Sequence, residues 1–288
     1  MKIIELSNHT GDMIRYGQDK RQQDLDYRKS VHAVDLEQFL AQRKALRAEA
    51  KDAWVNKQYG AFVFSGIKVI ANAFKGEPAP PVMAAATEAE KVWQSGNDGE
   101  SQLLTILNGQ LNSEWTALTG YKNRKGEADL LLVGPKGVLG IEIKHLNGLI
   151  SCAGNDWYRD KYDNYGNLVE KAIPIVDGRG RSPAQQINEV CGDLRQFLNK
   201  RQQYPLIATS VVLTHPKSWI DKMDDLTVDF VWRADSLDVT SLLTQNKHLL
   251  RQEAMTTLVN LIIQDHVFHA KRKPVKGSRR QQQTRTME

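Results

Sequence analysis

The chain has 288 residues, more than one typical domain requires, and 25% of them are charged. Its mean hydropathy of −0.49 and its longest apolar stretch, 61–74, broken by Ser65, Lys68 and Asn72 and too short for a bilayer, argue against a membrane protein. Two cysteines, Cys152 and Cys191, without metal-type or disulfide-framework spacing, and an N-terminus (MKIIELSNHTGD) without a secretory apolar region lead us to expect a cytoplasmic, reduced protein.

In chain order, the first candidate element is a charged segment in which Leu36, Phe39, Leu40, Leu46, Ala50 and Trp54 form a stripe, which predicts an amphipathic helix of about 20 residues. Gly76-Glu77-Pro78-Ala79-Pro80-Pro81 is a break and linker. Residues 1–82 are therefore read as a mainly helical N-terminal extension with the Pro-rich linker at 76–81. No residue before 90 signals chemistry. The sequence leaves open whether this region packs on the rest, forms a homodimer or binds a protein partner.

The alanine-rich stretch 83–93 leads as helix toward Glu100. Counted from Glu100, Leu103, Leu104, Leu107 and Leu111 follow at i+3, i+4, i+7 and i+11, the spacing of one helix face. Glu100 thus lies on the packing face, and the reading puts it at the first turn of its helix or just inside it. A charge serving only the helix dipole, worth about 0.3–1 kcal/mol, has no need of the packed face.

The segment 127–148 carries the strongest signal. It reads as two adjacent strands, with Asp129 interrupting a run of leucines on the first. On the second, Leu139, Ile141 and Ile143 share one face while Gly140, Glu142 and Lys144 share the other. A Glu-x-Lys pair on a strand is commonly a solvated face or a cross-strand ion pair. Here the apolar residues on the other face mark a central strand, where charge costs several kcal/mol unless a partner or metal offsets it. Two converging carboxylates with a lysine beside them suit a divalent cation and an activated water.

Beyond it, Leu149–Cys152 reads as a short strand. Ser182 and Pro183 start a helix running to Arg201, as N-cap and first helical residue, and Ile187, Val190, Cys191, Leu194 and Leu198 form its apolar face. Residues 206–213 are a buried strand ended by His215-Pro216. Helix, three strands, helix and strand give an α/β core with a mixed sheet. Gln186 borders the apolar face of the second helix; Gln185, about 100° away, is the more exposed of the two. Between Trp157 and Arg181, Tyr158, Arg159, Tyr162, Tyr165 and Arg179 interleave around a turn, a pattern that suits nucleic-acid contact and plain strand packing alike. His145 follows Lys144 and points to the opposite strand face. His266 and His269 are one turn apart without a third ligand, so a solvated helix end is expected. Helices over 236–269 are expected to pack on a core of 83–235. The tail 270–288 holds seven Lys or Arg against Glu288, a balance of +6 within the net +5, which leaves −1 for the rest; it reads as disordered.

Gly96-x-x-Gly99-Glu100, Glu127-Ala128-Asp129, Val133-Gly134-Pro135-x-Gly137 and Ile141-Glu142-x-Lys144 resemble, in order, the motifs of the NERD or nuclease-related domain, of the PD-(D/E)xK nuclease superfamily. The likeness continues through Gly148, Trp157, Ser182-Pro183-Ala184-Gln185-Gln186 and Leu194, and spans 93–213. It departs at Ala128, where the family has isoleucine or a similar residue, and in a long stretch between Trp157 and Pro183. The resemblance implies a restriction-endonuclease-like core, a mixed central sheet flanked by helices, and a metal-dependent nuclease in DNA processing or defence against foreign DNA. Asp129, Glu142, the Ile143 carbonyl and Glu100 would hold Mg²⁺ or Mn²⁺, Lys144 would handle the water, and Gln186 would steady it. The partner is then a nucleic acid, DNA before RNA. A non-cleaving binding or scaffolding module on the same fold is the alternative.

Overall fold

The computed structural model describes residues 1–163, 165–239 and 249–271. In chain order the elements are β1 (Lys2–Glu5), α1 (His9–Val55), α2 (Tyr59–Lys75), α3 (Glu88–Gln110), β2 (Thr116–Lys122), β3 (Glu127–Gly134), β4 (Gly137–Lys144), β5 (Gly148–Ala153), β6 (Asp156–Tyr162), β7 (Leu168–Pro174), α4 (Pro183–Asn199), β8 (Ile207–Leu213), β9 (Ser218–Asp224), β10 (Phe230–Arg233) and α5 (Gln252–Ala270). They form two compact units, one of Met1–Gly11 with the chain from Gln94 onward, the other of Asp12–Trp93. The class is the α/β one read from the sequence, mixed sheets flanked by helices with a helical N-terminal region. Among the described residues no helix is long and apolar enough to cross a membrane.

In the first unit a six-stranded sheet has the order β1-β2-β3-β4-β8-β10. Strands β2, β3 and β4 form an antiparallel meander, to which β1, β8 and β10 add in parallel. β3 and β4 are nearly continuous apolar runs because both their faces are covered. On one face Leu103, Leu107 and Leu111 of α3 close over Leu130, Leu132, Leu139 and Ile141. On the other, Ile187, Val190, Cys191 and Leu194 of α4 and Leu258 and Ile262 of α5 close over Leu131, Val133 and Val138. Each such fully buried side chain contributes about 1.5–3 kcal/mol. α4 starts as read, with Ser182 as N-cap, Pro183 in the first turn, and a reciprocal capping box between Ser182 and Gln185.

Several elements differ from the sequence reading. Residues 2–5, taken for part of a helical extension, are the parallel edge strand beside β2, with Lys2 opposite Thr116 and Glu5 opposite Thr119. A four-residue strand whose partner lies more than a hundred residues away leaves no local pattern. α1 runs for 47 residues. Pairs such as Asp12–Arg15 and Asp24–Arg28 support it where apolar periodicity is weak, and Leu40 and Trp54 of the expected stripe are exposed. Leu149–Cys152 does not extend the central sheet; Gly148, at φ 111°, turns the chain into a second sheet of order β7-β6-β5-β9. α3 begins at Glu88, where Thr87 and Glu90 cap each other, so Glu100 sits more than three turns in, not in the first. His266 is buried, its Nδ1 accepting from the Lys122 amide, and Asp265 accepts from Tyr121 at 2.5 Å, so this is no solvated helix end. The basic tail, from 272 on, lies outside the described residues.

Candidate active site

The β3–β4 register pairs Leu131 with Gly140, which brings Asp129 opposite Glu142 on the face shared with α4. Lys144 follows on that face, and its Nζ donates to Glu142 Oε1 at 2.7 Å. Asp129 Oδ2 accepts the Ile143 amide at 2.6 Å, replacing the β3 carbonyl at the point where the ladder ends. Because an amide and carbonyl of one strand residue share an edge, the Ile143 carbonyl opens toward the same side. The other oxygen of the Glu142 carboxylate, Oε2, is buried without a hydrogen-bond partner.

Glu100 reaches this group from the other helix layer. Gly99 makes the approach possible: a Cβ there would lie 2.6 Å from Thr214 Oγ1 and 2.9 Å from the His145 Cβ. His145 is engaged away from the carboxylates, with its Nδ1 2.9 Å from Thr214 Oγ1 and its ring 4.8 Å from that of His215. On the α4 side, Gln186 donates to the Arg181 carbonyl at 3.1 Å, while Gln185 is spent on the capping box. Glu100, Asp129, Glu142, Lys144 and Gln186 line one cavity of about 300 Å³.

Six further residues line that cavity which the sequence reading did not assign: Ser7, Asn8, Thr10, Gly120, Glu127 and Arg181. Ser7 and Asn8 come from the loop after β1 and Thr10 from the first turn of α1, in the stretch read as free of chemistry. Gly120, at φ 65°, bends β2 so that Ser7 lies against it, and the Ser7 hydroxyl bonds the Gly120 carbonyl at 2.7 Å and Glu127 at 2.9 Å. Thr10 lines the cavity beside Glu100 and favours its ionised form. Arg181 is gripped by Asp177 at 2.8 Å and Glu189 at 3.0 Å, and reaches the Lys125 carbonyl at 3.0 Å. Of these, only Arg181, next to the Ser182 cap, and Glu127, at the head of the strand motif, had any signal in the sequence. Trp157, in the interleaved hairpin, is a core residue, whereas Tyr158 and Tyr165 are exposed.

Four carboxylates thus face two cations, and the titration of the group reflects it. Burial, reinforced by Asp129 and only partly offset by Lys144, pushes the Glu142 carboxyl up to about 8. Burial also raises Asp129, against the opposing pull of Lys144 and the Ile143 amide. Burial and then the charges of Asp129 and Glu127 lift Glu100 to about 7, with the Thr10 hydroxyl working the other way. Burial acts against charge on Lys144, but Glu142 and Asp129 outweigh it and keep its pKa above the ordinary lysine value. A neutral-pH site of this kind retains protons that a cation can displace. Among the described residues no three His, Cys, Asp or Glu side chains are drawn close enough to hold an ion as they stand; Lys144 and the Ile143 amide occupy oxygens of Glu142 and Asp129. The unpartnered Glu142 Oε2 and the excess of carboxylates fit a divalent cation. A larger cavity of about 470 Å³ lies between α4 and α5, but its acids are already engaged, Asp193 by Arg124 and Asp265 by Tyr121.

Fold and site together define an α/β protein with a carboxylate–lysine centre at the open end of its central sheet. Residues 95–214 match the family model of NERD, the nuclease-related domain, and this part of the chain is similar to that family. Comparison with curated proteins and with solved structures gives no match.

Proposed function

We propose that the chain is a metal-dependent nuclease that hydrolyses phosphodiester bonds, in DNA before RNA. The observation that carries this is the single cavity shared by Glu100, Asp129, Glu142, Lys144 and Gln186 in a chain similar to the nuclease-related domain. Asp129 and Glu142, with the Ile143 carbonyl and Glu100, would hold Mg²⁺ or Mn²⁺, hard cations that favour oxygen ligands and keep waters. A divalent ion there would polarise the phosphate and lower the pKa of a bound water. Lys144, held cationic by Glu142 and Asp129, offsets charge developing on the phosphorus and orients the attacking water. Gln186 spends one amide hydrogen on Arg181, leaving the rest of its amide for a water or phosphate oxygen. Glu100, with a pKa near 7, is suited to exchange a proton with solvent water at neutral pH. We place the protein in the cytoplasm, where its two buried free cysteines would stay reduced.

One observation favours the second reading, a binding module that does not cut. Lys144 already holds one oxygen of Glu142, so part of the carboxylate charge is met by the protein itself. A Mg²⁺/Mn²⁺ cleavage assay on plasmid, linear and single-stranded DNA, with Lys144→Ala beside the wild type, decides between them. Metal-dependent cleavage lost in the variant supports the nuclease; equal behaviour of the two proteins supports the binding module.

A further inference from the structure

Helix α2 is amphipathic in the wrong direction for its own unit. Its buried residues are polar: Ser65, whose hydroxyl donates to Glu49 of α1 at 3.1 Å, and Asn72. Its large apolar side chains point outward, and Tyr59, Val63, Phe64, Ile67, Ile70 and Phe74 are between 58% and 88% exposed. At 100° per residue, Tyr59, Val63, Ile67, Ile70 and Phe74 fall within a sector of about 80°, nearly opposite Ser65 and Asn72. A stripe of this size, on the order of 700 Å² of side chain, exceeds what a monomer normally leaves bare and approaches the roughly 800 Å² that each partner of a stable complex buries.

The spacing says what covers it. Val63, Ile67, Ile70 and Phe74 are separated by four, three and four residues, the interval of a helix seam packed against another helix. The seam is also complementary to itself run backwards. In antiparallel pairing Ile67 meets Ile70 of the second copy and Val63 meets Phe74, so each layer combines either two medium side chains or a small one with a large one. Gly60 and Gly66 flank the stripe with open space beside them, which permits close helix approach. A lipid surface would require neither the interval nor the size pairing. We propose that the protein is a homodimer joined through α2, the helices of two copies packing antiparallel along Val63, Ile67, Ile70 and Phe74.

Sedimentation equilibrium of the full chain tests this. The wild type should dimerise with a Kd on the order of micromolar, and Ile67→Glu should weaken it by ~30-fold or more with an unchanged far-UV circular dichroism spectrum, since the side chain is exposed. On mild oxidation Val63→Cys/Phe74→Cys should cross-link between copies, whereas Val63→Cys alone should not. A wild type that stays monomeric at about 100 µM, an unaltered Kd in Ile67→Glu, or efficient cross-linking of Val63→Cys alone would overturn the pairing. Co-sedimentation of a monomer with phosphatidylserine vesicles, abolished by Ile67→Glu, would overturn it in favour of a membrane surface.

Discussion

Lys144 Nζ lies 2.7 Å from one oxygen of Glu142, two residues earlier on the same face of β4, while the other oxygen of that carboxylate is buried without a partner. The pair is therefore half satisfied: one oxygen is compensated by the protein and the other is left for something the chain does not supply. Lys144→Ala should lower cleavage at saturating DNA by roughly 10²–10⁴-fold, the range of a lost acid–base or charge-offsetting group. DNA affinity should change little, because one cation paired with Glu142 adds little to the electrostatic attraction of a polyanion. Parallel loss of binding and turnover would mean that Lys144 holds the DNA and does no chemistry.

The raised carboxyl of Glu142 makes a stability prediction with a definite sign. Its folded pKa of about 8 exceeds the ordinary 4.5, so between those values the native state holds a proton that the unfolded chain releases. Stability should fall as pH rises through that window and level off above it. Glu142→Gln removes this group's share. The variant should melt above the wild type near about pH 8.5, by an amount on the order of 5 kcal/mol less the value of the lost Lys144 pair, and the gap should narrow toward about pH 5. Identical pH slopes for the two proteins would show that the carboxyl ionises normally.

Much of this site was legible because periodicity betrays position. Asp129, Glu142 and Lys144 stand where two apolar strands should continue, and alternation alone puts the last two on one face. The leucine stripe after Glu100 showed equally well that α3 packs. What the sequence hid is what comes from far along the chain. Ser7, Asn8 and Thr10 reach the cavity because β1 pairs in parallel with β2, and no local pattern reports a partner more than a hundred residues away. The second sheet was obscured for a different reason: β6 and β7 pair with register shifts and their outward residues alternate poorly. The length of α1 was missed because charge pairs, not an apolar stripe, carry much of it.

A divalent ion should compete with the protons on this cluster. At [Mn²⁺] of about 100 Kd, binding to the native state alone should stabilise by about 2.7 kcal/mol, a melting shift of several degrees. Because Glu142 and Glu100 hold protons up to about 8 and about 7, the shift should shrink as pH drops below those values. Asp129→Ala should lose most of it at every pH. A shift equal in wild type and Asp129→Ala would place the ion elsewhere.

Thr10 offers a test of the N-terminal contribution. Its hydroxyl is one of the groups holding the Glu100 carboxyl down, so Thr10→Val should move that group's midpoint above about 7. A pH profile of cleavage, or of the Mn²⁺ melting shift, should be displaced to higher pH with its plateau kept. Displacement with a lowered plateau would point instead to a disturbed fold. No displacement would mean that the Ser7–Thr10 segment is only a wall of the cavity.

The charge of the C-terminal segment separates holding DNA from cutting it. Residues 270–288 carry seven Lys or Arg and one acid, a balance of +6 that leaves the rest of the chain at −1. If these cations neutralise about five phosphates, deleting the segment should lower the slope of log affinity against log salt by roughly four to five units. Affinity at low salt should drop sharply, and the loss should be smaller at high salt, where counterion release contributes less. Turnover at saturating DNA should survive, because every residue assigned to the chemistry lies at or before Gln186. Lys144→Ala should behave in the opposite way, keeping the salt slope and losing the turnover. A truncated protein with unchanged affinity and slope would move the DNA-binding surface to the exposed Tyr158 and Tyr165 of the β6–β7 hairpin, where Tyr158→Ala would be the next measurement.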